Sequence, residues 1–354
     1  MFGKKRGYFV LLLILFVGSF LSGYVFFAFF EHERAEKIVL VENSKEVSYQ
    51  YDEQEKRLLQ VFYAFDVSEK TQNTIEIKIA DGIKVFVRKE DSNKYELLQH
   101  SKEFYTEPKK IAILYISTGK YIKFWDGFYQ AMEKYFLPRH EKTYFLFTDH
   151  DDLAVPKNVV KVHQDQLPWP YITFKRFHFF DGVKDKLKEF DYIYFLNGTM
   201  MPVAEINEEI FPTKEQEIMV TLHPGYFRGD QKYLPYDRNP RSKAYIAHGD
   251  GKYYFMGGFN GGTSEGFLKL IERLMNWTDI DLLNKVMPAW HDESMLNRYV
   301  LSKMGENLKP LILTPLYAVP QTGHSGVDEF RVNPRQLILD KAKYGGHGYL
   351  RNSD

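Results

Sequence analysis

The chain has no cysteine among its 354 residues, so neither a disulfide framework nor a thiolate metal site can support it, and the fold must hold by packing alone. It also lacks net charge, since 47 basic and 47 acidic side chains cancel. That balance gives no polyanion-binding signal and argues against a nucleic-acid partner. Internal repeats and low-complexity tracts are missing too. Apolar material is plentiful: 44% of the residues are hydrophobic and 16% aromatic. A chain of this length and composition holds one large domain plus appendages.

One uncharged run, from Tyr8 to Phe30, is long enough to cross a bilayer core as a helix. It lacks the shorter apolar region and small-residue cleavage site of a removable signal peptide, so it reads as an anchor. Lys4, Lys5 and Arg6 precede it, whereas Glu31, Glu33 and Glu36 follow with only Arg34 and Lys37. The positive-inside rule then makes residues 1–7 a cytosolic tail and 8–30 a transmembrane helix, with the rest across the membrane. Residues 31–109 read as a charge-rich stem carrying a small β element. There Ile75-Glu76-Ile77-Lys78-Ile79 alternates like a strand and the alternation resumes over residues 83–87, with Asp81-Gly82 as the hairpin turn signal.

From Lys110 apolar strands alternate with amphipathic helices, which predicts an α/β domain over residues 110–354 with a largely parallel sheet. Ile111-Ala112-Ile113-Leu114-Tyr115-Ile116 is a buried-strand run, and Ile122, Trp125, Phe128, Met132 and Tyr135 share one face of the helix after it. Residues 144–147 form the next strand. Phe174, Phe177, Phe180, Val183 and Leu187 stripe a second helix with Arg176 on its polar side, and residues 192–196 return to the sheet. In open α/β sheets ligands bind beyond the carboxyl ends of strands, which singles out Ser117-Thr118-Gly119-Lys120-Tyr121 and Asn197-Gly198-Thr199. Glycine in the first permits close approach of a base, ribose or phosphate, and the hydroxyls can bind it; the same residues also suit an ordinary strand-to-helix turn.

The sharpest chemical signal is Trp290-His291-Asp292-Glu293-Ser294, ahead of a helix through Met295, Leu296 and Tyr299. An indole face stacks on the C–H edges of a pyranose, and paired carboxylates hold hydroxyls or stabilise an oxocarbenium ion. Alone, the acids fit a solvated helix start better, facing the positive end of the dipole. Their company is more specific: Tyr253-Tyr254-Phe255-Met256-Gly257-Gly258-Phe259-Asn260-Gly261-Gly262, Tyr236-Asp237-Arg238-Asn239-Pro240-Arg241, and Thr221-Leu222-His223-Pro224-Gly225-Tyr226. In this order and spacing the segments resemble family 6 of the glycosyltransferases, retaining enzymes that include the ABO blood-group transferases and α-1,3-galactosyltransferase. The resemblance covers about Lys110 to Asn352 and leaves the stem unmatched. It implies a GT-A type nucleotide-sugar-binding fold.

The resemblance also implies roles. Ile116, Ser117, Thr118 and Tyr121 match the uridine-binding turn, while His223 and Trp290 match positions that bind the acceptor galactose by hydrogen bonding and stacking. Met256 and Gly258 match the pair that separates galactose from N-acetylgalactosamine. Methionine resembles the galactose-using form, but glycine leaves room for an acetamido group, and missing volume tips the expectation slightly to N-acetylgalactosamine. Asp292 resembles the residue that grips donor-sugar hydroxyls. Glu293 resembles the one below the anomeric carbon, a nucleophile in double displacement or a stabiliser in front-face substitution.

Animal members carry Asp-x-Asp where this chain has Asn197-Gly198-Thr199, and ligate manganese there. An amide and a hydroxyl suit a hard cation poorly. Bacterial members, with Asn-x-Asn, resemble the chain more and share its Lys175-Arg176-Phe177-His178 and Tyr344-Gly345-Gly346-His347 runs. No metal cofactor is therefore expected, Mn2+ being the alternative. Asn197 and Thr199 stay as donor contacts, and Arg176, Lys343 and Arg351 are expected to neutralise the leaving diphosphate.

The expected function is transfer of N-acetylgalactosamine or galactose from its UDP donor, in α-1,3 linkage, to a terminal β-galactoside on a glycolipid, glycoprotein or oligosaccharide. A catalytically inactive carbohydrate-binding homologue is the alternative. A lumenal domain needs imported sugar nucleotide, so anchor and chemistry together imply a single-pass type II Golgi enzyme, with a bacterial inner membrane as the other setting. Asn197-Gly198-Thr199 and Asn276-Trp277-Thr278 would then be glycosylation sequons.

Overall fold

The computed structural model of the chain describes residues 108–351, apart from 228–229, 307, 324–326 and 332–333, and before them a set of strands between residues 25 and 100. The chain divides into two compact units, Met1–Thr106 and Glu107–Asp354. In the first, Glu36–Glu42 pairs antiparallel with Lys45–Asp52, and Thr74–Lys78, Lys84–Asp91 and Lys94–His100 form a three-stranded antiparallel sheet. The expected hairpin is present: Ile77 lies opposite Val85 and Lys78 opposite Lys84. Its turn, Asp81-Gly82, lies outside the described residues. Of the expected transmembrane run 8–30, Val25 and Phe26 are described, in a short strand paired with Leu40 and Val39 rather than in a helix; the remainder lies outside the described residues. Among the described residues no helix is long and apolar enough to cross a membrane.

The second unit is built on a seven-stranded sheet. Its strands are β1 (Lys110–Ile116), β2 (Glu141–Thr148), β3 (Val159–His163), β4 (Tyr192–Leu196), β5 (Ile218–Leu222), β6 (Phe255–Thr263) and β7 (Leu311–Leu313). They lie in the order β3-β2-β1-β4-β6-β5-β7. Neighbours are parallel except where β6 meets β4 and β5. The apolar runs of β1, β4 and β5 are buried along their lengths, as strands covered on both faces must be. This mostly parallel sheet fits the GT-A type expected. A small second sheet joins Met200–Pro202, Gln336–Ile338 and Val319–Pro320.

Helix α1 (Trp125–Tyr135) buries Trp125, Phe128 and Met132, as its periodicity requires. The second expected helix is instead three short ones, Tyr171–Phe174, α2 (Arg176–Asp181) and Lys184–Leu187. The breaks fall at Lys175 (φ −93°, ψ 6°) and Val183 (φ −117°, ψ 10°), which leave the helical region. The aromatic stripe is buried all the same, but Arg176 is not on a polar face: it is 4% exposed. Then come α3 (Ser264–Leu283), α4 (His291–Gly305) and a terminal α5 (Gly346–Arg351). Asn276 and Thr278 fall inside α3 with Thr278 buried, and Thr199 is buried as well. Neither sequon has the surface-loop setting of a glycan acceptor.

The chain builds β2 and β3 on one side of β1, then crosses to place β4 on the other. The carboxyl end of β1 is therefore the topological switch point, the place where open α/β sheets bind ligands. Because β6 runs backwards, its first residues arrive at the same edge as the last residues of β1, β4 and β5.

Candidate active site

That edge gathers the predicted residues. Ile116 ends β1, and the N–H of Asn197, just past β4, donates to the Gly258 carbonyl at 2.8 Å. The N–H of His223, just past β5, donates to the Tyr254 carbonyl at 2.9 Å. Asn297 staples α4 to the start of β6: its side chain accepts from the Phe255 N–H at 2.9 Å and donates to the Phe255 carbonyl at 2.7 Å. A two-way amide clamp of this kind allows one register only. Asp237, from the Tyr236–Arg241 motif, accepts from the Ala289 N–H at 2.7 Å and fixes the approach to Trp290.

The two acids of α4 are held differently. Asp292 is 6% exposed and its Oδ2 lies 3.1 Å from Nη1 of Arg176. The same Nη1 donates to the Gly257 carbonyl at 3.2 Å, and the guanidinium sits 4.5 Å from the centroid of Phe195. Glu293 is gripped on both oxygens, Oε1 accepting from the Tyr254 hydroxyl at 2.8 Å and Oε2 from the Gly257 N–H at 2.7 Å. Burial pushes Asp292 up to about 6 against the pull of Arg176. It pushes Glu293 up to about 7 against the pull of the Gly257 N–H and Tyr254. A solvated helix start would lower both carboxyls, so that reading fails. Gly257 is where the acids close in, since a Cβ there would lie 2.9 Å from Asp292 Oδ2 and 3.2 Å from Glu293 Cβ. His291, before them, is in the left-handed region at φ 51°, a strained turn of the kind that sites retain.

The nucleotide turn and the C-terminal tail meet nearby. Gly119, at φ 53°, donates its N–H to Asp149 Oδ1 at 2.8 Å, and the buried Ser117 hydroxyl has no hydrogen-bond partner among the described residues. The tail packs back on this turn through Leu350, which is buried with Phe124 and Leu339 while Tyr121 and Tyr344 pack alongside. The charge of Arg351 reaches Tyr121 and eases the burial that raises its phenol, and the guanidinium lies 4.3 Å over the Trp169 ring. Trp169 in turn meets the ring of His291 at 5.0 Å.

Lys341 Nζ is 5.6 Å from the Tyr121 centroid. Burial, then Arg351, lowers it to about 8; burial, Lys341 and Arg351 lower His347. Basic side chains gathered this closely and partly desolvated make a site that an anion completes.

The family model that matches is glycosyltransferase family 6, over residues 41–324. The chain belongs to that family. It is 35% identical over 243 residues to the O-antigen biosynthesis glycosyltransferase WbnI of Escherichia coli, covering 68% of this chain and 99% of WbnI. To the Histo-blood group ABO system transferase 1 of Rattus norvegicus it is 28% identical over 210 residues, 57% of this chain and 59% of that protein. To the Globoside alpha-1,3-N-acetylgalactosaminyltransferase 1 of Homo sapiens it is 26% identical over 232 residues, 63% of this chain and 64% of that protein. The match begins at residue 41, so the family reaches into the stem segment, where the motifs show no resemblance. It ends ahead of the tail.

A family 6 glycosyltransferase takes a nucleotide-sugar donor and a glycan acceptor, and the remaining residues bear on both. Asn197 Oδ1 accepts from the Gly198 N–H at 2.7 Å, and Thr199 is 2% exposed. The turn offers no carboxylate, and among the described residues no three His, Asp or Glu side chains stand together for a metal ion. A manganese site does not fit these residues. Nor is Arg176 presented to a diphosphate, being engaged by Asp292 and Gly257. Lys343 is exposed, with Asp340 feeling its charge, and Lys341 is the tail lysine that faces the nucleotide turn. Gly258 does not leave empty volume: a Cβ there would lie 2.7 Å from Met256 Cε. On the acceptor side Trp290 is 49% exposed, and His223 Nδ1 accepts from the Gly225 N–H at 3.0 Å, which puts the neutral ring's proton on Nε2.

Sequence reasoning missed Tyr254, Gly257, Trp169 and Lys341. Tyr254 and Gly257 lie in the motif over residues 253–262, which marks the segment but not their roles, and Asp340 caps the turn that carries Lys341.

Proposed function

We propose that this family 6 enzyme transfers galactose from UDP-galactose, with retention and in α-1,3 linkage, to a terminal β-galactoside, and that it needs no metal ion. The observation that carries the reading is Glu293, held on both oxygens beside the buried Asp292–Arg176 pair at the switch point of the sheet. In the reaction the bond from the anomeric carbon to the β-phosphate oxygen breaks, its electron pair leaving with UDP. A bond to the acceptor O3 forms, and the O3 proton passes to the departing phosphate oxygen. Glu293 faces the positive charge that develops on the anomeric carbon, and Asp292 grips the donor hydroxyls.

Ile116, Ser117, Thr118 and Tyr121 hold the uridine, with Asn197 and Thr199 shaping the floor beneath the phosphates. Lys341 and Arg351 take the negative charge of the leaving diphosphate, where the animal enzymes use manganese. Trp290 stacks on the acceptor galactose and His223 donates to it. Galactose is favoured as the donor because Met256 occupies the volume that an acetamido group would need. The uncharged run 8–30 behind its basic flank supports a membrane tether.

The test is to incubate the full chain in detergent with UDP-galactose and a β-galactoside in EDTA, and to read the product's linkage by NMR. An α-1,3-linked α-galactoside is expected. Turnover that the chelator abolishes and manganese restores would overturn the metal-free step, and no product from any UDP-hexose would overturn the whole reading.

A further inference from the structure

We infer that Tyr254 is the positioning residue for Glu293, its hydroxyl fixing both the direction and the charge of the carboxylate from 2.8 Å. The inference rests on Glu293 as the group beneath the anomeric carbon. Of the two donors on Glu293, the Gly257 N–H is backbone and survives any side-chain change. Tyr254 is the adjustable half of the clamp.

The phenol is itself immobile. Tyr254 is 1% exposed and its ring meets those of Tyr226 at 5.3 Å, Tyr236 at 5.6 Å and His223 at 5.7 Å. Burial, then the Glu293 charge, holds its proton far above the ordinary tyrosine range, so the hydroxyl donates and does not ionise.

The groups that face Glu293 come from three elements. Asp292 on its own helix raises its proton affinity, while Arg176 from α2 and the Tyr254 and Gly257 donors at the start of β6 lower it. From the loop after β5, His223 and Tyr226 pack on Tyr254. The His223 N–H also donates to the Tyr254 carbonyl. One residue therefore carries the carboxylate on its side chain and the acceptor-side histidine on its backbone.

The experiment is Tyr254→Phe, which keeps the ring and removes the donor. In full-length protein labelled with ¹³C at glutamate carboxyls, the Glu293 resonance, assigned by its loss in Glu293→Gln, is titrated. Losing a donor to the ionised form should move its midpoint up by about one pH unit. The acid limb of kcat/KM should move with it, turnover well below the midpoint should fall about tenfold, and the donor KM should hold. Replacing Tyr254 with 3-fluorotyrosine, a more acidic phenol, should move the midpoint down. Tyr236→Phe, in the same aromatic cluster but off Glu293, should leave it in place.

A midpoint unmoved in both Tyr254 variants overturns the inference. So does a further loss of turnover when Tyr254→Phe is added to Glu293→Gln. Full turnover in Glu293→Gln itself overturns the catalytic reading instead, and the NMR titration still decides the link to Tyr254.

Discussion

Replacing Met256 by alanine should change which sugar the enzyme accepts. The notch at Gly258 is bounded by Asn197 Cβ and Met200 Sδ, 3.6 and 3.8 Å from where a Cβ would sit, but Met256 Cε stands 2.7 Å from that point. An acetamido group entering there must push aside a methyl group whose own residue is 6% exposed. Overfilling a packed pocket costs about 1–3 kcal/mol, which is about 10–200-fold in kcat/KM; methionine's flexibility sets the figure towards the lower end. Met256→Ala removes every side-chain atom beyond Cβ, about as much volume as the acetamido group adds over a hydroxyl. The assay is one reaction containing equal UDP-galactose and UDP-N-acetylgalactosamine, with the two products counted by mass spectrometry. Because both sugars compete for the same enzyme molecules, any loss of folded protein cancels from the ratio. The wild type should favour galactose, and Met256→Ala should bring the ratio to parity or reverse it. A wild type that incorporates both sugars equally, or a ratio untouched by the substitution, refutes the reasoning.

Glu293→Gln preserves the clamp, its amide oxygen facing the Gly257 N–H and its NH₂ facing the Tyr254 oxygen, and should lower kcat by about 10²–10³ with the donor KM unmoved. Since burial raises Glu293 from 4.5 to about 7, its share of stability is full below the lower value and lost as pH rises through the upper one. Calorimetry should therefore find Glu293→Gln melting above wild type near about pH 8, by up to about 3 kcal/mol, and gaining nothing near about pH 4. Trp290→Ala should raise the acceptor KM by about 2–10-fold, the worth of one aromatic stack, and leave the slow hydrolysis of the UDP-sugar unchanged in a coupled UDP-release assay.

How far the sequence reveals this site depends on whether a role follows from local chemistry or from where the chain returns. Asp292 and Glu293 are legible because the segments that accompany them resemble family 6 in order and spacing, where the acids alone read as a helix start, and the strand ends at Ile116 and Asn197 are legible because apolar runs stop there. Tyr254 is not. Its role depends on β6 running backwards, so that the residue before the strand, and not the one after it, reaches the catalytic edge. Arg176 is misplaced by helical periodicity because the helix breaks at Lys175, which turns the guanidinium inward to Asp292. The open notch inferred from Gly258 fails for a related reason. A glycine tells what its own position lacks, while the occupant, Met256, is decided by a neighbouring rotamer.

Backbone pairing ties the Asn197-Gly198-Thr199 turn to the segment that carries the tail lysine. The Thr199 carbonyl accepts from the Leu339 N–H at 2.9 Å, and Met200–Pro202 pairs with Gln336–Ile338 in the small sheet. The junction that buries Thr199, where a metal ligand would stand, thus leads the chain within two residues to Lys341. A side-chain cation cannot be chelated, but it titrates. Lys341 sits at about 8, lowered by burial and Arg351, so it is charged below that pH and neutral above it. Donor capture by the free enzyme should therefore weaken as pH rises through about 8, giving kcat/KM for UDP-galactose an alkaline limb there. Lys341→Ala should erase the limb and lower kcat/KM at neutral pH by about tenfold or more, the worth of a charge-assisted hydrogen bond. Lys341→Arg should keep activity and push the limb beyond the measured range, since guanidinium does not deprotonate there. An alkaline limb that survives Lys341→Ala would mean that another group meets the diphosphate.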